Sequence, residues 1–569
     1  MKLLRNGFLG IGLTIALFSG LAAASENSTK REKRAQEPLR ITAVQWGPTQ
    51  QMVDAAKLRV ERSAAMQNAL KGTKYHLLAF EYIENGGDKS QASMPPTRFR
   101  VVFYDYTNDR TLIAESNFAG TEAVVVREEH FQPNASDEEF NEAVRILQSD
   151  ARFNSLLKGE RLRAFQPMPP ITVLSGTIER LVNVGLESQG NSASNEVVSV
   201  SLKSGRVIRY DRGAPETSLA APEACGIPNA GQGTTSNGTP GQYQLAITQG
   251  ANTLWEMLVI RPSASSGNSF ERSGIEVRDV KYKGKSVLKR GHVPVLNVQY
   301  VGNACGPYRD WQYQEGSFDA PDAGATDPAP GIRILAAGQI AQTALDSGND
   351  TGNFNGVAIY TQNNETVMVS EMNAGWYRYI MEWRFANDGT IRPRYGFGAI
   401  NNSCVCLGHN HHVYWRFDFD VVNPNNKVFQ VERGRKFLQP ITNEITRLRN
   451  YQTNRSFLIQ NSTGDEAYML VPNVSDGTAD TYGGGDLWLL KYQGTSDSPG
   501  ELDDPNTNTA ANFTPWLNNE SLVNQDVVVW YGAHFIHSDG ANRLEPNRIN
   551  PSILSGSYVV GPDIRPIRW

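Results

Sequence analysis

A chain of 569 residues has room for several domains and a large core. Its formal net charge of -5 is small for that length, which removes any electrostatic case for nucleic acid or a membrane surface as partner. Four cysteines are too few to build a disulfide scaffold; Cys225 and Cys305 can pair in an oxidising compartment, a pairing that sequence alone does not assign.

The chain opens with a segment that reads as a secretory signal. Met1 to Ala24 carries Lys2 and Arg5, then an apolar run from Phe8 to Leu21, then the small residues Ala22, Ala23 and Ala24. Residues 25–40 form a polar linker or prosegment, where the pairs Lys30-Arg31 and Lys33-Arg34 fit either a processing site or a solvated stretch. No other stretch approaches the roughly 20 apolar residues of a membrane helix. The mature protein is therefore expected to be soluble and extracellular. Asn-x-Ser/Thr acceptors at Asn134, Asn349, Asn364, Asn454, Asn461, Asn473, Asn512 and Asn519 fit a glycoprotein on a secretory route.

Two small α/β units follow. In the first, residues 41–120, a helix is predicted from Pro48 to Leu70, then strands at His76 to Ile83, Arg98 to Tyr106 and Thr111 to Asn117. The second, residues 121–170, is reduced. Its helix opens with the capping box Ser136-Asp137-Glu138-Glu139, in which Ser136 accepts from the Glu139 amide while Glu139 reaches back. Phe140, Val144, Leu147 and Phe153 supply one apolar face.

From about Ile171 to Trp569 short runs rich in Val, Ile, Tyr and Trp alternate with Gly, Asn, Asp and Pro. That density of strands and turns predicts a large antiparallel β-sandwich, making the whole chain an α+β protein that is mainly β.

The strongest chemical signal is His409-Asn410-His411-His412. Residues i and i+2 of a strand share a face, so His409 and His411 can offer two imidazoles to one metal. Imidazole suits copper or zinc; a polar strand end is the structural alternative. A third histidine source lies downstream, in Trp530-Tyr531-Gly532-Ala533-His534-Phe535-Ile536-His537.

These segments resemble the copper amine oxidase family. There a His-x-His strand is followed by an Arg-Leu-Asp type segment, here Arg416-Phe417-Asp418-Phe419-Asp420, and a third ligand comes late. The resemblance implies copper ligands at His409, His411 and His537. It also implies a structural calcium held by Asp418, the Phe419 carbonyl, Asp420, Asp526 and the Val527 carbonyl, oxygen donors of the kind a hard cation takes. The segment Trp376-Tyr377-Arg378-Tyr379 resembles the quinone segment, with Tyr377 as the precursor of topaquinone. Tyr300 resembles the tyrosine that hydrogen-bonds the quinone. Gly274 to Val280, Ser286 to Leu288 and Glu179 to Leu186 resemble strands of the same domain, and the Ser136 helix resembles a small domain ahead of it.

The sequence departs from the pattern where the chemistry is done. Trp376 replaces an asparagine and Arg378 an acid beside Tyr377, which would put bulk and a fixed cation next to the ring. The family's interval from Tyr300 lands on Gln314 where an aspartate base is expected, and glutamine cannot titrate. Asp310, Glu315 and Asp319 are the carboxylates nearby. Cys404 and Cys406, just ahead of His409, can be further metal ligands or a local disulfide.

The resemblance implies oxidative deamination of small primary amines to aldehyde, ammonia and hydrogen peroxide by a secreted, copper-containing homodimer. Gln314 implies that this activity is altered. Two other readings stand beside it: a metal-binding homologue without catalysis, and a non-redox enzyme in which zinc activates water.

Overall fold

The computed structural model describes residues 37–83, 94–129, 133, 135–166, 180–188, 196–209, 226–228, 238–265, 273–300, 308–310, 312–400, 409–434, 437–474, 476–479, 485–493, 516–537 and 558–569. The signal segment, most of the linker, all four cysteines, and the acceptors Asn134 and Asn512 lie outside these residues.

Two large sheets enclose the main core. The first runs in the order Leu39–Gln45, Gln242–Gln249, Asn252–Ile260, Glu276–Tyr282, Lys285–Tyr300, His409–Phe419, Val527–His537, Leu487–Lys491 and Ile445–Arg447. At the middle of the second, Val357–Gln362, Glu365–Ala374, Tyr377–Ala386 and Ile391–Ala399 follow one another as neighbours, and Asp563–Arg568 continues the order. Pairing in both is antiparallel apart from Ile332–Ile334 beside Val357–Gln362. The mainly-β sandwich expected from the strand density is the architecture found.

The facing strands fill the space between the sheets with alternate side chains, as a period of two requires. Val413, Trp415, Phe417 and Phe419 from the first sheet meet Tyr377, Tyr379, Met381, Trp383 and Phe385 from the second in one cluster. The reverse faces are also covered. Tyr414, Trp488, Val528 and Trp530 pack behind the first sheet, and Ile380, Leu345, Phe354 and Val369 behind the second. Burial on both faces explains why these strands read as near-continuous apolar runs.

The small units fall in sequence between Leu39–Gln45 and the other strands of the first large sheet. Tyr75–Ile83, Arg98–Asp105, Arg110–Asn117 and Val125–Glu129 form one four-stranded sheet; Leu162–Phe165, Leu181–Ser188, Glu196–Ser201 and Val207–Arg209 form another. The second helix, Asp137–Ser149, begins with the predicted capping box at Ser136 and Glu139. Leu147 and Phe153 are buried beneath it as expected, whereas Phe140 and Val144 are only partly buried and Ala143 and Glu139 go fully inside. Glu139 tolerates burial because Arg180 grips both of its oxygens, at 2.5 and 2.6 Å.

The single helix predicted over Pro48–Leu70 is two, Gln50–Arg62 and Ala64–Ala69. Ser63 separates them in an extended conformation. Its hydroxyl donates to the Val60 carbonyl at 2.8 Å and accepts from the Met66 amide at 3.2 Å, so one side chain closes the first helix and caps the second. Ser63→Ala should lower stability by about 0.5–2 kcal/mol, read as a lower denaturant midpoint with an unchanged slope.

Candidate metal centre and tyrosine site

The strand His409–Phe419 pairs with Val527–His537 over its whole length, with His409 opposite His537 and His411 opposite Phe535. On its other side His409 pairs with Tyr300. Positions 300, 409 and 537 thus stand opposite one another in register at the end of three adjacent strands. His411 adds a second imidazole on the face of His409. The His409 and His411 rings are both fully buried, with centroids 4.9 Å apart and planes at 69°. His412 and His534 form a matching opposed pair on the reverse face, 5.1 Å apart, where the His534 Nε2 meets the Gly485 carbonyl at 2.8 Å.

Tyr377 approaches from the second sheet. It follows a two-residue hairpin, Gly375-Trp376, in which Gly375 has a φ of 57°, the positive value a type II′ turn needs at its first central position. Its hydroxyl is hydrogen-bonded to the His409 Nε2, and its ring stands edge-on to His411 at 4.9 Å. Tyr379, two residues along the same face, lies parallel to it, with centroids 5.2 Å apart and planes within 2°.

The residues flanking Tyr377 do not crowd its ring. Arg378 belongs to the opposite face of the strand, where its guanidinium takes both Asp350 oxygens at 2.5 and 3.0 Å and its Nη1 donates to the Tyr377 carbonyl at 3.1 Å. Trp376 is turned toward Phe165, 5.7 Å away. The cation expected beside the ring is thus behind the sheet and matched by a carboxylate.

The segment carrying Gln314 distributes its side chains in alternation. Asp310, almost fully buried, accepts the hydrogen bond of the Tyr379 hydroxyl. Gln312 accepts from the Tyr395 hydroxyl at 2.7 Å. Burial, followed by the charge of Asp310, pushes the Tyr395 phenol well above its usual range. Gln314 instead donates to Asp137 Oδ1 at 3.1 Å, at the start of the small-domain helix. Glu315 is committed to Arg261, and Asp319 pairs its backbone with Gln342. Of the candidate carboxylates, Asp310 is the one that meets the tyrosine pair.

At the other end of the same two strands, Asp418, Asp420 and Asp526 each bring one carboxylate oxygen within 4.8 Å of the others. Phe419 and Val527 are cross-strand partners beside them. Two buried, converging imidazoles with a phenol on one of them are a donor set that fits copper or zinc, and position 537 is in register to complete it.

Solved structures share this architecture. The chain superposes on a copper-containing benzylamine oxidase from Hansenula polymorpha with a TM-score of 0.59 at 14% identity, covering 90% of this chain and 96% of that one. For an Aspergillus nidulans amine oxidase the values are 0.55, 14%, 92% and 88%. For the lysyl oxidase of Pichia pastoris they are 0.51, 12%, 91% and 88%. The fold is that of the copper amine oxidases. No protein-family profile matches the sequence, and no curated protein sequence matches it either.

Tyr379 and Asp350 are neighbours of the Tyr377 segment that no motif marks. The signal for Tyr379 was present, since Tyr-x-Tyr in a strand sets both rings on one face and Arg378 on the other. Asp350 lies 28 residues from Arg378 in sequence, and nothing local marks it. Asp350→Ala would leave the Arg378 guanidinium buried without its counter-charge. It should cost about 3–5 kcal/mol, measured by equilibrium denaturation, and Arg378→Met in the same background should recover part of the loss.

Proposed function

We propose that this chain is a secreted copper-dependent oxidoreductase of the amine oxidase type, with Tyr377 as the residue that becomes its quinone cofactor. The observation that carries the reading is the Tyr377 hydroxyl bonded to the His409 imidazole, a tyrosine held against a metal-type histidine from the facing sheet. His409, His411 and His537 would hold copper, which supplies one-electron redox chemistry with dioxygen when bound. Tyr300, in the row of His409, would bond the oxidised ring.

The remaining roles fall to this chain's own side chains. Gln314 holds the small-domain helix through Asp137 and takes no part in proton transfer. Asp310 is the group we assign to accept the proton from the carbon next to the substrate nitrogen, acting at the Tyr379 edge of the tyrosine pair. In this reading the activity is altered from the family pattern: the base is Asp310, bonded to the Tyr379 hydroxyl, and no residue at position 314 serves.

Metal binding without amine turnover is the second reading. The Tyr377 ring is fully buried and Tyr379 covers one of its faces, which favours it. Copper loading separates the two. An amine oxidase should develop a visible chromophore that phenylhydrazine shifts, and should release hydrogen peroxide with a simple primary amine. Tyr377→Phe should abolish the chromophore. Asp310→Asn should keep it and lower turnover by about a hundred- to ten-thousand-fold. Copper bound with no chromophore and no peroxide would establish the second reading instead.

Asp418, Asp420 and Asp526, with the Phe419 and Val527 carbonyls, would bind calcium, since three carboxylates so close repel one another without a cation. Calcium added back to chelated protein should raise stability by about 2.7 kcal/mol at a hundred times its Kd. Asp420→Asn should erase that gain, and an unchanged melting temperature in the parent chain would remove the site. Glycans would sit on the exposed Asn349, Asn364, Asn454 and Asn519. Asn461 is a poor acceptor, being 5% exposed and bonded through its side chain to the Gly464 amide at 2.8 Å. A homodimer is the assembly that the family resemblance implies.

A further inference from the structure

A line of oxidisable rings leaves the tyrosine site and crosses the core. Tyr379 neighbours Tyr395 at 5.8 Å, Tyr395 neighbours Trp415 at 6.3 Å, and Trp415 neighbours Tyr531 at 6.0 Å. All four are fully buried. Beyond Tyr531 lie Arg449, stacked on its ring at 5.1 Å, and the half-buried Tyr451, whose hydroxyl donates to Gly477 next to Asp476.

Packing alone does not call for these residue types. Phe385, Phe397 and Phe417 fill the same core with no polar atom to satisfy. Each tyrosine of the line instead needs a buried acceptor, and two of the acceptors are carboxylates, Asp310 under Tyr379 and Asp476 under Tyr531. A buried carboxylate is a costly partner for a core phenol. Trp415 adds an indole N–H that has no hydrogen-bond partner among the described residues. Asp476 is further held by the Gly561 amide at 3.0 Å, so its place beside Tyr531 is built in.

We propose that Tyr379, Tyr395, Trp415 and Tyr531 form a hole-transfer chain that moves a one-electron oxidising equivalent between the Tyr377–histidine site and the Tyr531–Asp476 pair, which lies next to the half-buried Tyr451. Burial first, and then the neighbouring carboxylate, raises the Tyr395 and Tyr531 phenols well above their usual range. They stay protonated, so losing an electron for any length of time requires a place for the proton. Hydroxyl radical reaching the histidine site takes an electron from Tyr379 and becomes hydroxide, as the phenolic proton of Tyr379 passes to Asp310. Tyr395 and then Trp415 pass an electron inward without giving up a proton, since an amide oxygen and an unpartnered N–H offer no base. Tyr379 recovers its electron from Tyr395 and its proton from Asp310. At the end of the line Tyr531 gives up the electron and its proton goes to Asp476. The net change is one electron delivered to the oxidant, a neutral Tyr531 radical and a protonated Asp476. Such a path would spare Tyr377 and the histidines from self-oxidation, a purpose that rests on the redox reading above.

The test uses metal-free full-length protein, so failure of copper binding leaves it intact. Tris(bipyridine)ruthenium(III), photogenerated with persulfate, oxidises accessible phenols from outside, and Tyr451 is the entry. Peptide mass spectrometry then locates oxidised tyrosine. Tyr379, which the oxidant cannot touch, should be modified in the parent chain. In Tyr395→Phe that modification should fall to background, while oxidation of the exposed control Tyr75 is unchanged. Trp415→Phe should give the same result, and the single-hydroxyl change at Tyr395 guards against a misfolded variant. No oxidation at Tyr379 in the parent, or equal oxidation in parent and Tyr395→Phe, would overturn the chain.

Discussion

The unbroken ladder between His409–Phe419 and Val527–His537 is the constraint on which the site depends. It pairs the two strands residue for residue from His409–His537 to Phe419–Val527 with no bulge. The neighbouring strand Lys285–Tyr300, by contrast, shifts register twice against the histidine strand. A slip of one residue would turn every side chain of a strand to the other face, exchanging His409 and His411 for Asn410 and His412. Apolar residues on both faces forbid that slip, Trp415 and Phe417 toward the core and Tyr414 and Trp530 behind it. The histidine row and the aspartate cluster occupy opposite ends of this one ladder, so a single register sets both.

Charge around the site is matched at short range. Arg378 meets Asp350, Arg261 meets Glu315 and Arg449 meets Asp486, all of them buried. Pairs of this kind contribute little net stability, because desolvation offsets the attraction, but losing one partner is expensive. Their effect here is on position. The Arg378–Asp350 pair holds the hairpin that presents Tyr377 through the Tyr377 carbonyl, and Glu315 anchors the segment that presents Asp310.

Much of this was legible in the sequence. Short runs of Val, Ile, Tyr and Trp between turn residues exposed the strands, the capping box marked its helix, and the spacing of His409 and His411 put them on a shared face. Ser63 was not legible as a break, since a serine inside a helical pattern looks the same whether it faces solvent or caps two helices. The burial of Glu139 was not legible, because its partner Arg180 is 41 residues away. Position 378 was legible as a departure, yet its consequence was not: a cation next to Tyr377 in sequence lies across the sheet in space.

The interval count to Gln314 illustrates a more general limit. Counting along a chain locates a side chain only while the backbone between is a regular ladder. Between Tyr300 and Gln314 the chain leaves its strand, and it returns with Tyr308–Arg309 paired to Asn297 and Val298. Alternation is then reset, and Asp310, Gln312 and Gln314 reach Tyr379, Tyr395 and Asp137 in turn. A candidate base has to be located by what it touches: position 310 meets the tyrosine pair through Tyr379, whereas position 314 is turned to Asp137. The same reasoning limits what a shared fold can carry. At 14% identity the sandwich persists because its two-sided burial is tolerant of apolar exchange. A shared fold carries a shared site only where specific groups still meet; here Tyr377 meets His409, and Tyr379 meets Asp310.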